Sequence, residues 1–441
     1  MIHGYPAAGH GRSTALTIQP VMGETSRIRI NLSAVESNIR VIRDVVGPET
    51  VICPIVKADA YGLGAAPIAR HLVAAGAGML AVYTSGQAAT LARSAIGGPI
   101  LVLQPVREMD RIDEAYRLLI RGDLHLTVHD EEHLGDLGRI AEKFASIIPV
   151  HLEVDSGMTR GGCPVDVAPR IAKRISEHRW LRLAGMSTHF ARAGSDARFT
   201  NKQLAVFDAV LKKCGSTVPD DCLIHAANSV ATLRHSRYHK TMVRVGQAWA
   251  GFGADRITDG PFRSQAAELR PIVTWRSRII QVKTIERGTS VGYGSHWTAK
   301  RRSVIGLVPV GYADGYPMGL AATDDEPKPP CVRVDTSGQD GHGFVRVIGH
   351  VNMEQISIDL TDLCPPRKRQ SPEIGVGTEV ELIGTDPHAP NHVPTLAGVA
   401  GTVPHQLLCS LNPRIKRMYH ARESYEKKSS VVSHQLSVSS Q

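Results

Sequence analysis

The chain has 441 residues, 42% hydrophobic and 21% charged, enough for two or three domains of about 100–200 residues each. Its net charge of +9 comes with only short basic clusters at 300–302 and 367–369 and no arginine–aromatic stripe, so no nucleic-acid partner is expected, and a cationic enzyme that draws in small anions fits at least as well. Seven scattered cysteines without a Cys-x-x-Cys pair exclude a disulfide framework and a zinc ribbon and fit the cytoplasm. No metal site and no membrane span are expected, because nothing approaches the ~18 apolar residues a span requires.

Residues 1–26 read as a flexible extension without a signal-peptide core. A lead-in strand at 27–32 is followed by Ser33 and Glu36, spaced as a capping box. The helix they open carries Val35, Ile39, Ile42 and Val46 on one face. Apolar runs at 51–56, 79–83, 100–103, 124–128, 147–154, 181–186, 222–226 and 242–245 then alternate with helical segments, such as 67–75 ending at Gly76. Eight strands in repeated βα order predict an α/β fold, a (β/α)8 TIM-like barrel over 27–262. From 263 to 420 the pattern changes to strands without intervening helices, at 272–274, 279–284, 304–310, 332–334, 344–348, 356–360 and 379–383, with turn-rich linkers at 324–330 and 337–343. This predicts a mainly β C-terminal domain, ending in a helical stretch at 396–411. The Ser-rich tail, 421–441, reads as disordered.

Such a barrel builds its site where strands end, and the chemistry-bearing residues fall there. Lys57 follows the first strand, Arg160 the fifth, His189 the sixth and Asn228-Ser229 the seventh, while Arg244 and Gly246-Gln247 end the eighth. A lysine becomes a nucleophile and base when burial beside other cations lowers its pKa. Ser229 at a helix start and the free N–H groups expected at Gly246-Gln247 suit a phosphate. A phosphate beside such an amine points to pyridoxal phosphate, whose aldehyde condenses with lysine.

The segments 56–62, Val-Lys-Ala-Asp-Ala-Tyr-Gly, and 155–160, Asp-Ser-Gly-Met-Thr-Arg, together with Thr188-His189-Phe190 and Ala227-Asn228-Ser229, resemble those of alanine racemases. So do Arg244-x-Gly246, Gly292-Tyr293-Gly294, 311–315 and 352–355, in order over about residues 27–420. The resemblance implies a barrel plus β-domain, a homodimer with shared sites, and interconversion of L- and D-alanine on pyridoxal phosphate, supplying D-alanine. It assigns Lys57 and Tyr293 as the two bases, with Tyr293 reaching the partner's site. It puts Arg244 at the pyridine nitrogen and His189 behind the ring. Asn228 belongs to the cofactor site, and Tyr61, Ser229, Gly246 and Gln247 hold the phosphate. Arg160 and the Met353 backbone orient the substrate carboxylate, and Tyr312 lines the channel.

Three positions depart from the family pattern. Glu153 stands where a carbamylated lysine often supports the active-site arginine, and is expected to supply that negative charge. His405 stands for a phosphate-binding tyrosine, which would make cofactor affinity vary with pH between roughly 5 and 8. Glu354 replaces a shorter aspartate at the channel mouth. The alternatives are a broad-specificity amino-acid racemase and a non-catalytic pyridoxal-phosphate carrier, which would resemble only the first half.

Overall fold

The computed structural model describes residues 25–321, 329–336, 342–364 and 374–421. The expectations for 1–24, for 422–441 and for most of the linkers at 324–330 and 337–343 lie outside these residues.

Eight parallel strands form the barrel. Leu80–Val82, Ile100–Val102, Leu124–Val128, Ile148–Glu153, Leu181–Ser187 and Leu223–His225 pair in chain order, and Val51–Pro54 pairs in parallel with Met242–Val245. The ring closes on both sides. Val56 N–H reaches Ala81 O at 2.8 Å, and Thr241 and Arg244 N–H reach Ile224 O and Ala227 O at 3.1 and 3.0 Å. Most of these strands are buried on both faces, the reason they read as near-continuous apolar runs. All eight expected strands are present.

The helix Leu32–Val46 buries Val35, Ile39 and Ile42 as its spacing predicts, but Asn31 caps it by accepting from Ala34 N–H. The expected capping box at Ser33 and Glu36 does not form. Ser33 already lies inside the helix, its hydroxyl bonds the carbonyl of Ala421, and Glu36 meets His71 at 2.6 Å. Buried Asn38 ties this helix onward by donating to Trp249 O and Arg270 O at 3.0 and 2.9 Å.

The lead-in strand, Arg27–Asn31, is not part of the barrel. It pairs antiparallel with Val273–Arg278 and parallel with Lys416–His420. It thereby joins a nine-stranded sheet with Gln281–Ile285, Ser303–Val308, Ile356–Asp359, His342–Ile348, Cys331–Asp335 and Glu379–Ile383. Its alternating burial, with Ile28 and Ile30 inward, matches a one-sided sheet and not a barrel strand. The helical stretch expected at 396–411 is two helices, Val393–Val399 and Pro404–Ser410. Among the described residues no helix is long and apolar enough to cross a membrane. All seven cysteines are free thiols.

Candidate active site

Lys57 opens a turn of unusual hand. Ala58, Asp59, Ala60 and Tyr61 all have φ between 52° and 62°. Left-handed backbone costs L-residues roughly 1–2 kcal/mol each, so about 4–8 kcal/mol must be met by contacts around the turn. Asp59 Oδ1 accepts from Ala65 N–H at 2.7 Å. Arg417, in the last strand, donates to Gly62 O at 3.2 and 3.0 Å and to Leu411 O at 2.8 Å, while Tyr419 Oη donates to Leu63 O at 2.9 Å. The turn is thus held from the β-domain of the same chain. Burial and then the charge of Arg160 lower the Lys57 pKa, and its Nζ lies 5.9 Å from the centre of the Tyr83 ring.

Arg160 stands on a loop shaped by Asp155, whose Oδ1 accepts from the N–H groups of Gly157, Met158 and Thr159 at 2.9, 2.9 and 3.0 Å. Burial would raise the Asp155 pKa, but these bonds outweigh it and lower it. Glu153 does not bond Arg160. Its Oε2 faces His129 Nδ1 at 3.4 Å, and its charge is felt at Arg244.

Arg244 is 7% exposed and fixed by Thr188 O at 2.7 Å, His225 O at 2.9 Å and His189 Nδ1 at 3.2 Å. Burial, followed by the charges of Arg244, Arg160 and Lys57, takes the His189 pKa down to about 3. His189 is therefore a neutral ring at physiological pH.

The phosphate side differs in detail from expectation. Gly246 N–H is not free, because it donates to Ser229 Oγ at 2.8 Å, which also accepts from Ala248 N–H at 3.2 Å. Asn228 acts as the cap of helix Ser229–Arg234, its Oδ1 accepting from Ala231 N–H at 3.1 Å. A cradle remains above them. Tyr61 stacks on Trp249 at 5.5 Å and meets His405 edge-on at 4.9 Å. A β-carbon on Gly246 would lie 2.5 Å from Tyr61 Oη and 3.8 Å from His405 Nε2. The missing side chain lets a phenol and an imidazole close in on the backbone at Gly246, and their O–H and N–H are donors that fit a phosphate.

Gln247 Nε2 donates to His405 Nδ1 at 3.0 Å, which directs the ring's own N–H from Nε2 into that cradle. Burial, with Lys57 and Arg256, lowers the His405 pKa to about 4. In the unliganded chain the ring is therefore neutral between pH 5 and 8.

The remaining expected residues lie in the β-domain. Tyr312 N–H and Ala313 N–H bond Asn352 O and Met353 O at 3.0 and 2.9 Å, pinning the two loops together. Glu354 bonds Arg414 at 3.0 Å, and Arg414 also grips Asp314. Tyr293, Met353 and Tyr312 are 78%, 58% and 41% exposed. Among the described residues no hydrogen bond, ion pair or ring contact joins these three side chains to Lys57.

Sequence reasoning missed Trp249, Arg417, Tyr419 and Tyr83. Arg417 and Tyr419 lie more than 350 residues from the turn they bond, and nothing local marks them. The Asp-x-Gly start of the Arg160 loop was readable as a side-chain turn.

Comparison with known proteins agrees with this geometry. Residues 30–253 match the family model of the alanine racemase N-terminal domain, and 272–419 that of the alanine racemase C-terminal domain. The alanine racemase of Halothermothrix orenii is 32% identical over 396 residues, 88% of this chain and 95% of its own. That of Treponema denticola is 33% identical over 398 residues, 88% and 97% of the two chains. Among solved structures, alanine racemase from Streptomyces lavendulae superposes with a TM-score of 0.78 at 25% identity over 91% of this chain and 98% of its own. The Bartonella henselae enzyme, with covalently bound pyridoxal phosphate, gives 0.72 at 26% over 90% and 100%. With both halves matched in order and the strand-end residues gathered at one barrel mouth, the chain belongs to the alanine racemase family.

Proposed function

We propose that the chain racemises alanine with two proton-transfer groups drawn from two copies, Lys57 of one and Tyr293 of the other. Racemisation of alanine on pyridoxal phosphate is the family's activity, and the division of labour is our reading of the site. One observation carries it. Lys57 sits half-buried in the barrel mouth beside the charge of Arg160, whereas Tyr293 stands 78% exposed on the β-domain.

When bound, the cofactor supplies an aldehyde for the Lys57 amine and an electron sink for the substrate's α-carbon. The chain's own groups do the rest. Lys57 Nζ, its pKa lowered, takes the α-proton on one face, and Tyr293 Oη delivers a proton on the other. Arg160 and the Met353 N–H hold the substrate carboxylate, and Arg244 donates toward the ring nitrogen. Arginine only donates, so that nitrogen is held as an acceptor, which restrains side reactions. Tyr61, His405 and Ser229 hold the phosphate. The free thiols fit a reducing cytoplasm, and the product supplies D-alanine.

Mixing equal amounts of Lys57→Ala and Tyr293→Phe chains tests the shared site. Random reassortment should restore about a quarter of wild-type activity, since half the dimers are hybrids with one intact site. No recovery after verified subunit exchange would sink the two-copy site.

A further inference from the structure

Three buried histidines that the reaction does not use run through the barrel interior. His125, His151 and His225 stand on the strands Leu124–Val128, Ile148–Glu153 and Leu223–His225. Such interiors are ordinarily filled by branched aliphatic side chains, so three polar rings in a row need a reason. His125 Nδ1 lies 2.9 Å from His151 Nε2, and His151 Nδ1 lies 2.9 Å from His225 Nε2. His225 Nδ1 meets Arg244 Nη1. Gly185 makes room for the middle ring, because a β-carbon there would lie 2.1 Å from His151 Nδ1. The register between these two strands also slips between Val150 and His151.

The guanidinium sets the direction of the column. Arginine has no acceptor, so His225 Nδ1 accepts, and a neutral imidazole that accepts there donates from Nε2. His151 then accepts at Nδ1 and donates from Nε2, and His125 follows suit. Burial is the largest cause keeping the rings neutral. It takes His125 to about 4 and, with Arg244 and the neighbouring imidazoles, holds His151 and His225 well below the usual range.

We infer that this column is a positioning device for Arg244: three aligned ring dipoles turn their negative ends to the guanidinium, fix it without a carboxylate, and leave its charge undiminished toward the cofactor ring. The other groups bonded to Arg244, Thr188 O, His225 O and His189 Nδ1, are likewise uncharged. Glu153, the carboxylate felt at Arg244, makes no hydrogen bond to it. Cys53, also beside Arg244, has its thiol raised to about 12 by burial and stays protonated. At the far end His125 feels the charge of Arg182, which pairs with Asp221 at 3.4 Å. The effect on the reaction rests on Arg244 facing the ring, whereas the column itself does not.

Two-bond ¹H–¹⁵N spectra of the full chain with ¹⁵N-labelled histidine, before and after addition of pyridoxal phosphate, test this. All three rings should appear as neutral Nε2–H tautomers from pH 5.5 to 8. His151→Gln can relay the bond, accepting with Oε1 and donating with Nε2, and should keep His125 in that tautomer. His151→Phe cannot, and His125 should become a tautomer mixture. In the loaded enzyme His151→Phe should lower kcat about tenfold with KM unchanged, the scale of losing an outer-shell partner, and His151→Gln should restore most of it. An Nδ1–H or doubly protonated ring in the wild type, or an unchanged His125 in His151→Phe, overturns the column. Tautomers as expected with an unaltered kcat overturn its role in the reaction.

Discussion

Arg417 donates two hydrogen bonds, of 3.2 and 3.0 Å, to the carbonyl of Gly62, the residue that closes the left-handed turn begun by Lys57. The strain of that turn is therefore opposed by a strand of the other domain. Arg417→Ala leaves the Gly62, Leu411 and Ile415 carbonyls without this partner. Thermal or urea unfolding should show a loss of about 2–3 kcal/mol. Cofactor affinity should fall as well, because the lysine loses its fixed direction. Unchanged affinity in a folded variant would detach the clamp from the site.

Gly246→Ala tests the phosphate cradle. The added methyl would meet Tyr61 Oη, and Tyr61 cannot swing away because it is stacked on Trp249. Spectroscopic titration with pyridoxal phosphate should show binding weakened at least about tenfold, a change of ~1.4 kcal/mol. Far-UV circular dichroism should stay as in the wild type.

Acid stability follows from the buried imidazoles. His125, His405 and His392 are lowered to about 4 by burial and His189 to about 3, against an unfolded value of ~6.5. Between these limits the unfolded chain binds more protons than the folded one, so stability rises with pH. The contribution is complete above about 6.5 and is lost as pH falls toward 4, each ring adding up to about 1.4 kcal/mol per pH unit. Urea midpoints at pH 7.5, 5.5 and 4.5 should fall in that order. A flat series would show that these rings are not held neutral.

Glu153→Gln should separate two roles. Glu153 has no bond to Arg160 but bears on Arg244. The KM for alanine should therefore stay constant while kcat falls by less than about tenfold and its pH profile changes. A raised KM with unchanged kcat would return Glu153 to the support of Arg160.

Much of this was readable from the chain alone. The barrel strands are buried runs whose order repeats, and five of the eight strand ends announce a polar residue, so Lys57, Arg160, His189 and Arg244 stood out. Long-range pairing was not readable. Arg27–Asn31 precedes the barrel but belongs with strands some 250 and 390 residues away. The left-handed turn was invisible because 58–61 contain no glycine to signal positive φ. His125, His151 and His225 each resemble an ordinary core histidine, and only their alignment gives them direction. Ser33 lost to Asn31 as the cap because the strand runs one residue shorter than its apolar pattern suggests.

The first and last described strands lie side by side, Arg27 against Lys416 through Asn31 against His420. The residues that lock the reactive amine's turn, Arg417 and Tyr419, are therefore synthesised only after every strand of the barrel. A polypeptide ending before residue 417 would carry every barrel strand but neither of the bonds that steady its lysine turn.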